Sequence, residues 1–139
     1  MKKYLLDTNH LSGYLDRKPT LEDRIDRALR SGDRVGICLP VLCEYRAGIR
    51  LSKRRRQNLA RLQAALGVIR LWPADDGTAV VFAEIYQELR AAGEMLSQFD
   101  LLIASLARQQ NLTLLTADRD FQAVHKLKIE NWLVESRTS

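Results

Sequence analysis

Four acidic residues of this chain stand beside short apolar stretches that have the composition of buried strands and helices. Asp7 directly follows KYLL, Glu44 opens the helix predicted after RVGICL, and Asp118 comes three residues after LTLL. Asp100 begins the apolar segment LLIASLA. Parallel strands end at one edge of their sheet, where ligands bind, so we expect Asp7, Glu44 and Asp118 to lie there. Asp100 is less constrained, but the start of a buried helix must lie at one rim of the sheet. Because converging carboxylates repel one another, the pattern predicts a divalent cation among them.

The type of ligand indicates which cation and which chemistry. All four side chains offer oxygen, and no cysteine or histidine cluster accompanies them, which favours Mg²⁺ or Mn²⁺ over zinc or copper. Mg²⁺ retains several waters in proteins and so leaves room for a phosphate oxygen and an attacking water. The sequence therefore predicts metal-dependent hydrolysis of a phosphodiester bond.

Each acid also has a purely structural interpretation. Asp7 could cap the helix after it, Asp118 could cap the turn after it, and Glu44 could interact with a helix amino end. Asp100 stands three residues after Ser97, as in a capping box. Singly, these interpretations are as good as the functional one; four acids at one edge favour a site.

The elements that must position these acids alternate between strand and helix, which predicts an α/β domain with a mainly parallel sheet of five strands. Strands are predicted at residues 3–6, 34–39, 68–72, 112–115 and 129–133. Helices are predicted at residues 9–15, 20–32, 40–51, 53–66, 76–92 and from 98 onward. Thr20 and Asp23 are interpreted as a capping box that opens the second helix.

The bulk properties indicate one globular domain. A chain of 139 residues is long enough for a substantial core but short for two domains. We expect a single domain over residues 1–135 and a frayed tail over 136–139. No apolar run reaches the roughly 20 residues that span a bilayer, and we expect a cytoplasmic protein. Cys38 and Cys43 are expected to be buried free thiols.

The positive charge is concentrated in one segment. Between Tyr45 and Ala74 there is no acid but there are eight basic residues, and subtracting them from the net charge of +5 leaves −3 for the rest. This asymmetry predicts contact with a polyanion, although a solvated helix face is the alternative. The predicted RNA-binding residues are Arg46, Arg50, Lys53, Arg54, Arg55 and Arg56.

Four stretches together resemble a known family: LLDTN, PVLCEYRAG, GEMLSQFDLLIASLA and LLTADRDF. They are similar to the PIN-domain ribonucleases and, more closely, to the VapC toxins of bacterial toxin–antitoxin modules. The resemblance extends from Tyr4 to Trp132. It implies a three-layer α/β/α sandwich that binds Mg²⁺ or Mn²⁺ and cleaves RNA.

The resemblance also implies roles for individual residues. Asp7, Asp100 and Asp118 match the metal ligands, and Glu44 matches an acid that binds metal or orients water. Supporting roles fall to Thr8, Asn9 and Thr116, with Asn9 expected to orient Asp7. The chain departs from the family at Gln98, where many relatives carry an acid. We therefore expect one tightly held ion, with a second recruited by substrate.

The resemblance further implies a homodimer that is inhibited by a small VapB-like antitoxin. It makes transfer RNA a reasonable substrate and leaves messenger RNA open.

Two alternative functions remain at this point. A phospho-acceptor receiver domain has the same type of sheet, but it needs an acid pair after strand one and a Lys after the last strand, which this chain lacks. A PIN-like protein that binds RNA without cutting it is compatible with every motif.

Overall fold

Five parallel strands form the central sheet of this computed structural model, which describes residues 1–134. The strands are β1 Lys3–Leu6, β2 Arg34–Ile37, β3 Arg70–Leu71, β4 Thr113–Leu115 and β5 Ile129–Glu130. Their order across the sheet is β3-β2-β1-β4-β5, and all four pairings are parallel. The winding direction therefore switches between β1 and β4, the place where ligands bind in open α/β sheets.

Six helices connect the strands and confirm the expected α/β/α architecture. They are α1 Thr8–Leu15, α2 Pro19–Arg30, α3 Leu39–Leu51, α4 Arg55–Leu66, α5 Asp76–Ala91 and α6 Gln98–Gln110. A short 3₁₀ turn follows β4 at Arg119–Ala123.

The central strands and α6 form the middle of the core. Tyr4, Leu5 and Leu6 of β1 are all buried, as are Leu114 and Leu115 of β4, which explains why both strands are continuously apolar. Helix α6 is buried continuously from Ile103 through Ala107, which explains why LLIASLA is apolar on nearly every side.

Several predicted boundaries are wrong, each for a local reason. Helix α2 begins at Pro19 and is preceded by Lys18, which makes no side-chain cap. The capping box predicted at Thr20 is therefore wrong, because Pro19 already occupies the first helical position that suits proline. Strand β2 ends at Ile37 because Cys38 is the N-cap of α3. Helix α4 begins at Arg55, two residues later than predicted.

Gly36 allows β3 and the Trp72 side chain to pack closely against β2 at the edge of the sheet. A Cβ at this position would lie 2.6 Å from the carbonyl oxygen of Arg70 and 2.7 Å from Nε1 of Trp72. That indole nitrogen passes close to the strand to donate a 2.9 Å hydrogen bond to the carbonyl oxygen of Tyr4. Only glycine leaves room for this crossing.

The cysteine prediction is half right. Cys38 is buried, and burial raises the pKa of its thiol to about 12, so it is an inert core residue. Cys43 is exposed on α3, contrary to the expectation. In residues 1–134 no helix has both the length and the apolar character needed to cross a bilayer. The tail predicted at residues 136–139 lies outside the described residues.

Candidate active site at the carboxyl edge of the sheet

The four predicted acids line one cavity of about 300 Å³. Asp7 follows β1 and Asp118 follows β4, the two strands at the switch of winding direction. The Asp7 backbone N–H extends their ladder with a 3.1 Å bond to the carbonyl oxygen of Leu115. Glu44 enters from α3 and Asp100 from the start of α6. The remaining lining residues are Thr8, Asn9, Ile103 and Phe121.

Asp7 is held by the residue three positions further on. Its Oδ1 accepts hydrogen bonds from the His10 backbone N–H (2.7 Å) and lies 3.0 Å from Nδ1 of the His10 ring. The first bond makes Asp7 the N-cap of α1, so its structural interpretation is correct as well. Both contacts use one oxygen, and the buried Asp7 still faces the cavity with the rest of its carboxylate.

Asn9 is exposed and lines the cavity, and its role in orienting Asp7 stays a prediction. In residues 1–134 the side chain that hydrogen-bonds Asp7 is that of the fully buried His10. His10 was not predicted because a lone histidine carries no metal-site spacing. The available signal was its position: the third residue of a helix whose N-cap is an acid lies next to that acid.

Asp118 is positioned by a short chain of local hydrogen bonds. Its backbone N–H donates to the buried Thr116 hydroxyl (3.0 Å), and its own Oδ1 accepts from the Asp120 N–H (2.9 Å). Thr116 therefore shapes the turn that presents Asp118, which fits its predicted supporting role. Asp118 is itself exposed, so it remains accessible to a ligand.

The structure does not support the purely structural interpretation of Glu44 as an acid that interacts with the amino end of a helix. It stands in the second turn of α3, whose first turn contains no acid, so an interaction with the helix amino end does not explain it. Its Oε1 accepts a 3.2 Å hydrogen bond from the Thr8 hydroxyl. Thr8 thus aims an otherwise exposed carboxylate across the cavity.

Asp100 shows the electrostatic cost of the arrangement. Burial raises the pKa of its carboxyl group, and the nearby charges of Asp118, Asp120 and Asp7 raise that pKa further, while a hydrogen bond from Ser97 acts in the opposite direction. Ser97 caps α6 by accepting from the Asp100 backbone N–H (3.1 Å). Asp120 is a second residue that the sequence analysis missed, although the motif TADRDF contains it.

The donor set suits a hard cation that keeps part of its water. Among residues 1–134, no three side chains of His, Cys, Asp or Glu are close enough together to form a complete ligand cluster. The four carboxylates line one cavity without forming such a cluster. Their oxygen donors suit a hard cation such as Mg²⁺, which takes one or two carboxylates and fills its other positions with water or phosphate. Gln98 lines a separate cavity beside α5.

A polar groove leads from this cavity toward the basic segment. The α3–α4 groove, about 340 Å³ in volume, shares Thr8 and Glu44 with the carboxylate cavity and reaches Ser52 and Asn58 at its other end. Ser52 accepts hydrogen bonds from the Arg54 N–H and the Asn58 amide, both 3.0 Å. The turn between α3 and α4 is therefore ordered by its own polar contacts.

The six predicted RNA-binding residues are all exposed around this turn, but they are not equivalent. Arg55 donates a 2.7 Å hydrogen bond to the carbonyl oxygen of Arg50, so its guanidinium closes the end of α3. Lys53, Arg54 and Arg56 stand at the start of α4, whose first turn contains no acid. We call these three residues the basic cluster.

Comparison with known proteins identifies the family. The family model described as "PIN domain" matches residues 4–127. The chain belongs to the PIN-domain family. This result removes the receiver-domain alternative and confirms the resemblance found in the sequence motifs.

Several proteins similar to this chain carry the VapC or VapBC name. Ribonuclease VapC2 of Rickettsia felis is 29% identical over 93% of this chain and 97% of its own length. The tRNA(fMet)-specific endonuclease VapC of Shigella flexneri is 30% identical over 95% of this chain and 99% of its own length. The crystal structure of DNA-bound VapBC from Salmonella typhimurium has a TM-score of 0.85 at 26% identity, covering 95% of this chain and 99% of that one. VapBC2 of Rickettsia felis bound to a promoter DNA fragment has a TM-score of 0.83 at 28% identity, over 93% and 98%.

Proposed function

We propose that this protein is a metal-dependent endoribonuclease toxin that hydrolyses phosphodiester bonds in RNA. The observation that carries the proposal is the convergence of Asp7, Glu44, Asp100 and Asp118 on one cavity at the switch of the sheet. Relatives that align along nearly the whole chain are named as ribonucleases, which supports the choice of RNA as substrate.

The four carboxylates have different proposed roles in metal binding and in orienting water. Asp7, Asp100 and Asp118 are the proposed ligands of Mg²⁺ or Mn²⁺, one or two of them bound directly and the rest through water, and the ion would supply activation of water and neutralisation of the scissile phosphate. Glu44, held by Thr8, orients the attacking water or completes the cation site. Burial and mutual repulsion make the Asp100 charge costly in the free protein, and a cation removes that cost. With only Gln98 at the position where relatives carry a further acid, we expect one tightly bound ion.

The α3–α4 groove gives RNA a path to the cavity. One end of the groove shares Glu44 with the carboxylate site, and the other end reaches the turn that bears the basic cluster. A phosphate backbone lying along this path would meet positive charge beside the groove and the carboxylates at its end. Such contacts position RNA without selecting its sequence.

The relatives suggest partners and a substrate class. Two similar structures are VapBC complexes, and we infer that this chain also binds a VapB-like antitoxin. One relative is named for cleavage of tRNA(fMet), which makes transfer RNA the first substrate to test. A homodimer and a cytoplasmic location remain predictions; the two free thiols suit a reducing compartment.

The test is cleavage of purified transfer RNA and of total RNA with Mg²⁺ or Mn²⁺, with and without EDTA. We expect cleavage that EDTA abolishes and that Asp7→Asn or Asp100→Asn reduces by a factor of 100 or more. The matched control is Asp76→Asn, an exposed acid at the start of α5 on the opposite edge of the sheet, which should cut normally.

Binding of RNA without metal-dependent cleavage would instead support the alternative, a PIN-like RNA-binding protein. Normal cleavage by Asp7→Asn would contradict the role of the carboxylate site.

A further inference from the structure

His10 is a buried titratable residue that the proposed chemistry does not use. Its side chain has no exposure to solvent, and both ring nitrogens have a partner. Nδ1 lies 3.0 Å from Oδ1 of Asp7, and Nε2 lies 3.0 Å from the backbone nitrogen of Trp132. The ring therefore connects the first carboxylate of the site to the segment after β5.

The Trp132 contact decides which nitrogen carries the proton. A backbone N–H can only donate, so Nε2 must accept and cannot itself bear hydrogen. A neutral ring then carries its proton on Nδ1, which donates to Asp7 Oδ1. The opposite tautomer would set N–H against N–H at Trp132 and leave Asp7 facing a lone pair.

Trp132 is a rigid anchor for this connection. Its ring is buried, packs 4.7 Å from the ring of Tyr4 on β1 and is covered by the guanidinium of Arg24 at 4.6 Å. Its indole N–H donates to Glu130 Oε1 at 2.9 Å. The anchored backbone N–H of Trp132, which donates to Nε2, fixes the plane of the His10 ring, and the ring in turn presents Nδ1 to the carboxylate of Asp7.

We propose that His10 is a positioning residue for the cation site. Two hydrogen bonds from His10 occupy Oδ1 of Asp7, one from the backbone and one from the ring, which leaves Oδ2 as the oxygen available to a cation. The inference rests on the proposed function, because it assigns Asp7 as a ligand. Outer partners that orient a ligating carboxylate typically change metal affinity by roughly 10- to 100-fold when removed.

The competing interpretation is that His10 only stabilises the fold. A buried polar residue with both nitrogens satisfied would do so whatever Asp7 binds. The two interpretations differ in one respect: a stabilising residue alters the population of folded protein, whereas a positioning residue alters the affinity of the folded protein for a cation.

Two substitutions distinguish the contribution of the Nδ1 hydrogen bond from that of the Nε2 hydrogen bond. His10→Asn places an amide donor near the position of Nδ1 but does not extend to Trp132. His10→Gln places its amide near the position of Nε2 and removes the ring donor that faces Oδ1 of Asp7. Thr78→Val is the control: it removes the hydrogen bonds of a buried hydroxyl to Gln109 and to the Asp75 backbone N–H at the start of α5, at the opposite edge of the sheet from Asp7.

The experiment measures Mn²⁺ affinity by calorimetry on folded, RNA-free protein, together with the ring tautomer of His10 by ¹⁵N NMR. We expect the Nδ1–H tautomer for His10, with the exposed His125 as internal reference. His10→Gln should bind Mn²⁺ roughly 10- to 100-fold more weakly, whereas His10→Asn and Thr78→Val should stay within a few-fold of the unmodified protein.

The inference is overturned by an Nε2–H tautomer, or by a folded His10→Gln variant that binds Mn²⁺ within a few-fold of the unmodified protein. The second result would leave the proposed function intact, provided that the unmodified protein binds Mn²⁺ and cuts RNA. If the unmodified protein binds no cation, both fail together. Should His10→Gln not fold, His10→Leu, which also lacks a donor to Asp7, takes its place with the same expected loss of Mn²⁺ affinity.

Discussion

Neutralising the basic cluster should strengthen the fold and weaken RNA binding at once. Lys53, Arg54 and Arg56 stand at the amino end of α4, where the helix dipole disfavours positive charge. Each such charge costs about 0.3–1 kcal/mol at an exposed position. We therefore expect the triple Gln variant to gain roughly 1 kcal/mol in free energy of unfolding. The hydrogen bond to the Ser52 hydroxyl survives these substitutions, because its donor is the backbone N–H of Arg54.

The expected loss in RNA binding can be stated as a salt slope. Each phosphate contact with single-stranded nucleic acid contributes about −0.7 to the slope of log affinity against log salt, so three lost contacts reduce the slope by about 2. Between 50 and 200 mM salt, the unmodified protein should then lose about 20-fold more affinity than the variant. Fluorescence anisotropy of labelled RNA in EDTA measures this without cleavage.

A matched control removes the same number of charges elsewhere. Arg27 and Arg30 lie in the last turn of α2 and Arg34 begins β2, all exposed and at the opposite edge of the sheet. Their triple Gln variant should lose a little stability, since positive charge is favourable at a helix carboxyl end, and should keep the salt slope. Equal slopes for the basic-cluster variant and the unmodified protein would refute the assignment of these residues to RNA contact.

Three further changes test other parts of the structure. Burial and neighbouring acids raise the pKa of Asp100, so its ionisation destabilises the metal-free fold. Asp100→Asn should therefore have a higher free energy of unfolding at neutral pH, and this gain should disappear when the pH falls below the ordinary pKa of a carboxyl group. Urea titrations at a series of pH values measure the difference. Thr8→Val, which removes the 3.2 Å bond to Glu44, should slow single-turnover cleavage by about 2- to 10-fold, and Thr8→Ser should not. Gly36→Ala should lower the free energy of unfolding by about 1–3 kcal/mol, since its Cβ would meet the Arg70 carbonyl at 2.6 Å.

The sequence predicted most of the architecture because its signals are periodic or positional. Apolar runs gave the buried strands, and an acid directly after a strand must lie at the carboxyl edge of a parallel sheet. Boundaries were less predictable where two local signals competed, as when Pro19 outweighed Thr20 at the start of α2. Cys43 was assigned by residue type alone, and composition does not reveal which helix face meets solvent.

The parts of the site that sequence could not predict depend on contacts between distant segments. Asn9 was assigned to orient Asp7 on the strength of its position in the motif, whereas the contact of the His10 ring with Asp7 was not predicted. The ring is held there by a hydrogen bond from Trp132, which is more than one hundred residues away in the sequence, and no local pattern predicts that contact. The same applies to Thr8 and Glu44, whose hydrogen bond joins two different helices.

The two charged features of this fold are each unfavourable in the isolated protein, and they have opposite signs. Burial and, to a smaller extent, the neighbouring carboxylates raise the pKa of Asp100, while the basic cluster stands at a helix end that disfavours positive charge. The charge on Asp100 and the charges of the basic cluster are both unfavourable to the fold, and ordinary substitutions could relieve either. A cation relieves the first and a phosphate chain relieves the second. RNA bound with a divalent ion would supply both, because the α3–α4 groove shares Glu44 with the carboxylate cavity and reaches Ser52 beside the basic cluster; the proposed reaction therefore accounts for charges that the fold alone does not.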